Sequence, residues 1–205
     1  MEKDIKLIEN IIDLEWNMFQ RVENIGGRAS CQDDFETFYI MRRSQYENWS
    51  DEMLTRYYEY ACACEEEGRN LVTEKYGRMM EYTDLHYYNK YVAPHMPFVP
   101  VKNYRLINEI VETMIAWEKD FAKAYPKLSG AGRPITADGD STGFTSQETY
   151  ARGELATYPT DLLELYADYL KALKAQGKSL AIMIQDTMVH LYGYETIDDA
   201  EASLR

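Results

Sequence analysis

Apolar residues recur along this chain at intervals of three and four, the spacing that places them on one face of an α-helix. Ile8, Ile11, Ile12, Met18, Phe19 and Val22 predict a first helix over about 4–23. Gly26-Gly27 stops it, because glycine readily takes the left-handed conformation that closes a helix. Phe35, Phe38, Met41 and Tyr46 mark a second helix over 35–48, and Ser50 is a good N-cap for a third that runs to Glu67. Gly68 ends that helix, and a fourth covers 71–91. Pro94, Pro97 and Pro100 forbid a continuous helix and make the stretch a linker. Beyond it, Ile107, Ile110, Val111, Met114 and Phe121 predict a helix over 104–124, ended by Tyr125-Pro126. Residues 129–146, rich in Gly, Ser, Thr and Asp, form the longest irregular segment. Helices over 146–157, 160–176 and 180–192 follow, with Gly177 closing the second, and the tail 195–205 is a peripheral helix or disordered. No segment alternates as a strand does, so the expected fold class is all-α.

The pattern also repeats. Shifted by 109 positions, residues 43–80 fall without a gap on residues 152–189. Arg43 then meets Arg152, Leu54 meets Leu163, Tyr57 meets Tyr166, Tyr60 meets Tyr169, Gly68 meets Gly177 and Leu71 meets Leu180. A duplicated helical unit predicts a single domain over 1–205 with two similar halves, 4–92 and 104–194, joined by a linker at 93–103. The halves are expected in a pseudo-twofold arrangement with a cleft between them.

Composition narrows the function. With 205 residues the chain is long enough for one substantial core, and its net charge of −13 argues against nucleic acid as a partner. No stretch approaches the ~20 apolar residues that span a bilayer, and the N-terminus lacks a signal-peptide pattern, so no membrane partner is expected. Three cysteines, with Cys62 and Cys64 too close in a helix to bridge readily, point to a reducing cytoplasm.

Two glutamates fall on apolar faces. Glu15 aligns with Ile8, Ile12, Phe19 and Val22, and Glu118 with Val111, Met114 and Phe121. A carboxylate facing a core needs a cation, a metal or a proton. Each half places a Gly-Arg step after its first helix, Gly27-Arg28 and Gly132-Arg133, and Arg42 and Arg152 lie on helices nearby. Arginines among aromatic rings grip carboxylates and phosphates through paired bonds. They also serve simply to neutralise a glutamate, Arg28 or Arg42 for Glu15, and Arg133 or Arg152 for Glu118. A carboxylate-bound metal wants Glu-x-x-His, and His86, His95 and His190 do not provide it. Cys31 would act as a nucleophile only with a base that the sequence does not display. There is no P-loop, dinucleotide fingerprint, nucleophile elbow or zinc spacing.

Several runs carry a resemblance. Glu15-Trp16-x-x-Phe19, Gly26-Gly27-Arg28-Ala29-Ser30-Cys31-Gln32, Ile40-Met41-Arg42 with Ser44-Gln45, Gly68-Arg69-Asn70-Leu71 with Glu74-Lys75-Tyr76, Arg78-Met79-Met80, and Tyr150-x-Arg152-Gly153-Glu154-Leu155 with Thr157-Tyr158 are similar to a bacterial family. It is catalogued as a domain of unknown function, family 4125. The resemblance covers essentially the whole chain, with Pro159 departing from the serine often found there. It implies bacterial origin and a single all-helical domain, and it supplies no activity, cofactor or assigned residues.

The leading expectation is an enzyme or binder for a small anion, a carboxylate or phosphate. Arg28, Arg42, Arg133 and Arg152 would hold it, Gln32 and Gln45 would orient it, and Glu15, Glu118 or Glu154 would act as base or acceptor. The 129–146 segment would cover the cleft. The alternatives are an interaction or regulatory helical module without catalysis, and a carboxylate-bound metal enzyme. The interior discriminates the first two: a cleft with unpaired arginines favours the binder, and closed Glu–Arg clusters favour the module.

Overall fold

The computed structural model describes residues 3–24, 26–141 and 144–204. Expectations that touch Met1-Glu2, the middle of the 129–146 segment or the last residue of the tail lie partly outside these.

Among the described residues there are eleven α-helices: α1 (Ile5–Gln20), α2 (Phe35–Tyr46), α3 (Asp51–Glu66), α4 (Leu71–Thr83), α5 (Leu85–Tyr87), α6 (Val101–Ala124), α7 (Pro126–Ala131), α8 (Gln147–Leu155), α9 (Thr160–Ala175), α10 (Leu180–Leu191) and α11 (Ile197–Ser203). Side-chain caps start most of the long ones. Asp4, Asp34, Ser50, Asn70, Ser146 and Ser179 each accept a backbone N–H of the first turn of the helix that follows. α3 and α9 end alike. Gly68 and Gly177 take φ of 76° and 68°, and the next residue donates back to a carbonyl, Arg69 to Cys64 and Lys178 to Leu173. That is the left-handed closure glycine permits.

The main core draws on both ends of the chain. The α1 stripe of Ile8, Ile11, Ile12, Met18 and Phe19 packs with Met53, Leu54, Tyr57 and Ala61 of α3. Leu162, Leu163, Tyr166 and Leu170 of α9 and Ile107, Ile110 and Val111 of α6 complete it around a fully buried Trp49. α3 packs on α9, α4 packs on α8 and α2 packs on α10. Two hydrogen bonds mirror each other across this arrangement: Tyr60 Oη donates to the Thr157 carbonyl at 2.9 Å, and Tyr169 Oη to the Asn48 carbonyl at 2.7 Å. The α4–α8 contact is close because Gly153 has no side chain. A Cβ there would stand 2.6 Å from Met79 Cγ and 2.9 Å from the Lys75 carbonyl oxygen. A smaller cluster, Phe121, Val189, Ile197 and Ala200, seats α11 beside α7, so the tail is a peripheral helix.

Three boundaries differ from the sequence expectation. The fourth helix ends at Thr83 because Asp84 leaves helical geometry and its carboxylate caps Tyr87 N–H; a π-helical turn, Tyr88–Val92, follows. The sixth begins at Val101, directly after Pro100. The described residues of the 129–146 segment are tied down. Pro126 starts α7, Gln147 and Glu148 N–H donate to the Pro134 and Ile135 carbonyls, and Asp140 accepts from Ser146 N and Thr149 Oγ1, both at 2.5 Å.

Candidate functional site

The polar centre of the fold is Arg42, on the face of α2 that meets α1 and lies toward α8. All five of its N–H groups have acceptors. Nε and Nη2 grip Glu15 of α1 at 2.7 and 2.5 Å, and Nη2 also donates to Tyr46 Oη at 2.5 Å. Nη1 donates to Glu154 of α8 at 3.1 and 3.2 Å and to Gln45 Oε1 at 3.0 Å. One arginine thus bridges two carboxylates that come from opposite ends of the chain.

Tyrosines complete the shell. Tyr46 and Tyr57 donate to Glu15 Oε1 at 2.8 and 2.6 Å, and Tyr158 donates to Glu154 Oε1 at 2.9 Å. Lys75 of α4 reaches Glu154 at 3.4 Å and Tyr150 Oη at 2.6 Å. All these groups are buried except Gln45 and Tyr150, which are partly so. Two carboxylates face two cations, so the interior charge balances.

Burial works against the Arg42 charge, but Glu15 and then Glu154 outweigh it and hold the guanidinium well above its ordinary value. Burial likewise opposes ionised Glu154, yet Arg42 and Lys75 prevail and bring its carboxyl down to about 2. Such a carboxylate is a weak general base at neutral pH. Burial pushes the Tyr46, Tyr57 and Tyr158 phenols well up, so they stay protonated donors.

Of the residues singled out in the sequence, Glu15, Arg42, Gln45 and Glu154 therefore come together. The others do not join them. Arg28 is not the partner of Glu15: it bonds Asp33 at 2.9 Å, Gln20 Oε1 at 2.5 Å and the Gln32 carbonyl at 2.8 Å. Gln32 is buried, with its amide donating to the Phe19 and Val22 carbonyls and its oxygen accepting from Ala29 N and Asn24. The Gly26–Gln32 run is in this way a lock on the C-terminal end of α1, satisfying carbonyls that the helix leaves open. Arg152 bonds Glu148 and Asn108, away from the centre.

Arg133 donates to Thr145 and lies over the rings of Phe144 and Tyr150, at 5.7 and 5.2 Å. Tyr150 is also the Lys75 partner, so Arg133 stands one ring away from the network. Glu118, expected to pair with Arg133 or Arg152, has neither. Partial burial raises its carboxyl to about 7, against the opposing influence of Gln147. The position of Glu118 on the α6 apolar face was legible, and among the described residues it forms no salt bridge.

Sequence reasoning missed Tyr46, Tyr57, Tyr158, Lys75 and Tyr150 as members of the network. Their signal was the abundance of tyrosine, 18 residues, on helices that also carry the charged pair. Among the described residues no group of three or more His, Cys, Asp or Glu is arranged to hold a metal ion, and no helix is long and apolar enough to cross a membrane. A surface groove of about 670 Å³ between α3 and α9 is lined by Asp51, Glu52, Glu59, Asp161, Glu164 and Asp168 together with Arg56, which pairs with Asp161. Two buried side-chain atoms lack hydrogen-bond partners among the described residues, Trp49 Nε1 and Arg78 Nε.

No curated protein and no solved structure matches this chain. One family model does match, over residues 5–202 and so across the network and all but the last residue of the helices described above: the chain belongs to the family described as protein of unknown function, DUF4125.

Proposed function

We propose that this chain is an interaction or regulatory helical module without catalysis, built from two related halves, whose polar interior sets how the halves pair. One observation carries the reading: the Glu15–Arg42–Glu154–Lys75 network is closed, charge-balanced and bonded throughout by protein groups. A catalytic or ligand-binding interior leaves some of its charged groups free for the reacting molecule, whereas a closed ionic network specifies one pairing of elements. The mirrored Tyr60 and Tyr169 bonds and the similar closures at Gly68 and Gly177 support relating the halves by the 109-residue offset. The free thiols of Cys31, Cys62 and Cys64 suit a reducing cytoplasm.

A second reading, a small carboxylate or phosphate bound at the edge of the network, is favoured by Arg133. It has no carboxylate in salt-bridge reach among the described residues and lies beside the Tyr150–Lys75 pair.

A thermal-shift panel of carboxylates and phosphates on the wild type, Glu154→Gln and Arg133→Ala separates the two. The module reading expects no compound whose effect depends on Glu154. A compound that stabilises the wild type by several degrees and fails on folded Glu154→Gln overturns it. A shift lost only in Arg133→Ala supports the edge site.

A further inference from the structure

Charge in the centre of this protein is matched; at Arg78 it is not. Arg78 projects from α4 and is 5% exposed. Its Nη2 donates to the Pro97 carbonyl at 2.7 Å, its Nε is buried without an acceptor, and no carboxylate among the described residues forms a salt bridge with it. Nε–H and Nη2–H lie along one side of the guanidinium, the side whose spacing fits the two oxygens of a carboxylate. Here one neutral carbonyl occupies half of that fork. A buried cation without a counter-ion is costly, and a fitting anion would remove the cost.

The surroundings say what kind of anion. From Leu85 to Asn108 the chain has no acidic residue, its longest such run among 35 aspartates and glutamates, and it carries Lys90, Lys102 and Arg105. An otherwise anionic protein thus has, in the segment whose Pro97 carbonyl meets Arg78, no carboxylate of its own, and Lys102 there pairs with Glu164 of α9. The same stretch leaves apolar groups in water: Phe98 is 86% exposed and Val101 75%, and Leu85, Tyr91 and Tyr104 are exposed too. The backbone is unusual at the same place, with the π-helical turn Tyr88–Val92 lying against α4, a geometry that recurs at functional sites. At Gly77, the residue before Arg78, a Cβ would stand 3.1 Å from both Met96 Cε and Val92 Cγ1, so this segment lies directly on the helix. Burial raises the Tyr88 phenol, Glu81 adds to the rise and Arg78 opposes it, which puts that hydroxyl in the field of the guanidinium.

We propose that Arg78 anchors a binding site for a small amphipathic monocarboxylate. The carboxylate takes both Nε and Nη2 in place of the Pro97 carbonyl, and the apolar body lies against Phe98 and Val101. Entry exchanges one neutral acceptor for a charged one and fills the open donor. A dianionic phosphate fits less well, since one guanidinium would leave a negative charge buried in a protein that already carries −13. The site is separate from the Arg42 network, and its fate is independent of the module reading.

Titration calorimetry of the full chain with octanoate and with octanamide tests the proposal, because the two probes differ at the carboxylate alone. A tripeptide ending in phenylalanine, as free acid and as amide, asks whether the carboxylate belongs to a chain terminus. Octanoate is expected to bind and octanamide not to bind. Arg78→Met should weaken octanoate at least tenfold, and Phe98→Ala, a surface change that leaves folding intact, should weaken it several-fold. Binding of the free-acid peptide alone supports the carboxylate site and assigns its source. Equal binding of octanoate and octanamide overturns the proposal, as does no binding by either acid or undiminished binding in both variants. If Arg78→Met does not fold, the probe pair and Phe98→Ala still decide.

Discussion

Gln45 and Glu154, 109 positions apart in the chain, touch: Gln45 Nε2 donates to Glu154 Oε1 at 3.3 Å. Under the offset that relates the proposed halves they are the same position in each, so the contact lies where the halves meet. They differ by one charge, and that charge is the one Arg42 and Lys75 share. Glu154→Gln makes the two positions alike and leaves Lys75 without a counter-ion. Removing one member of a buried ion pair costs roughly 3–5 kcal/mol, and urea unfolding should report a loss of that order. Glu15→Ala should cost a similar amount. A loss below about 1 kcal/mol for either would mean that the network contributes little to stability.

Acid should weaken the fold through the same residue. The Glu154 carboxyl is held at about 2, below its ordinary value of 4.5. The folded state therefore favours the ionised form, and the stability this provides is complete above about pH 4.5. It is lost as the pH falls towards 2, and is worth roughly 3 kcal/mol at 1.36 kcal/mol per unit. Unfolding free energies measured from pH 6 to 2 should show this limb in the wild type, and Glu154→Gln should flatten it.

Glu118 acts with the opposite sign. Desolvation raises its carboxyl to about 7, so the folded state holds a proton that the unfolded chain gives up near 4.5. Its contribution is complete below pH 4.5 and is lost as the pH rises through 7, by at most about 3 kcal/mol. Glu118→Gln, which keeps the shape and removes the titration, should gain stability relative to the wild type at pH 8 and lose that advantage at pH 4. Parallel curves at both pH values would refute the assignment.

Tyr60→Phe and Tyr169→Phe each delete one hydroxyl that bonds a backbone carbonyl across the halves. A single such bond is worth about 1 kcal/mol net. Tyr60 Oη also accepts from Arg69 Nη1 at 3.3 Å, so Tyr60→Phe should cost somewhat more than Tyr169→Phe, and the two losses should add in the double variant. A large disparity in chemical denaturation would count against relating the halves.

The all-helical fold was legible because its signals are local. The α1 stripe, Ser50 as a cap and Gly68 and Gly177 as stops each act within one or two turns. Glu15 was legible as buried for the same reason, since its neighbours at three and four residues are apolar. Its partner was not uniquely so: Arg28 is closer in sequence, yet the loop carrying it folds back to close α1. Arg42 prevails because it lies on the face of α2 that packs against α1. The early end of α4 rests on Asp84, whose backbone leaves helical geometry within an otherwise helical pattern. Glu154 was legible as a candidate, but its convergence on Arg42 required knowing that Gly153 lets α8 approach α4 so closely.

The exchanged packing of α4 on α8 and α2 on α10 also governs the order of events during synthesis. When the ribosome has delivered residues up to the prolines, Glu15 and Arg42 can meet, but Glu154 has not yet been made. The seat on α4 that Gly153 will fill faces water, as does the surface of α2 awaiting α10. The nascent first half must therefore wait, part-formed, until α8 and then α10 emerge. A truncated product ending in the linker leaves both packing surfaces uncovered and becomes a substrate for chaperones and proteases.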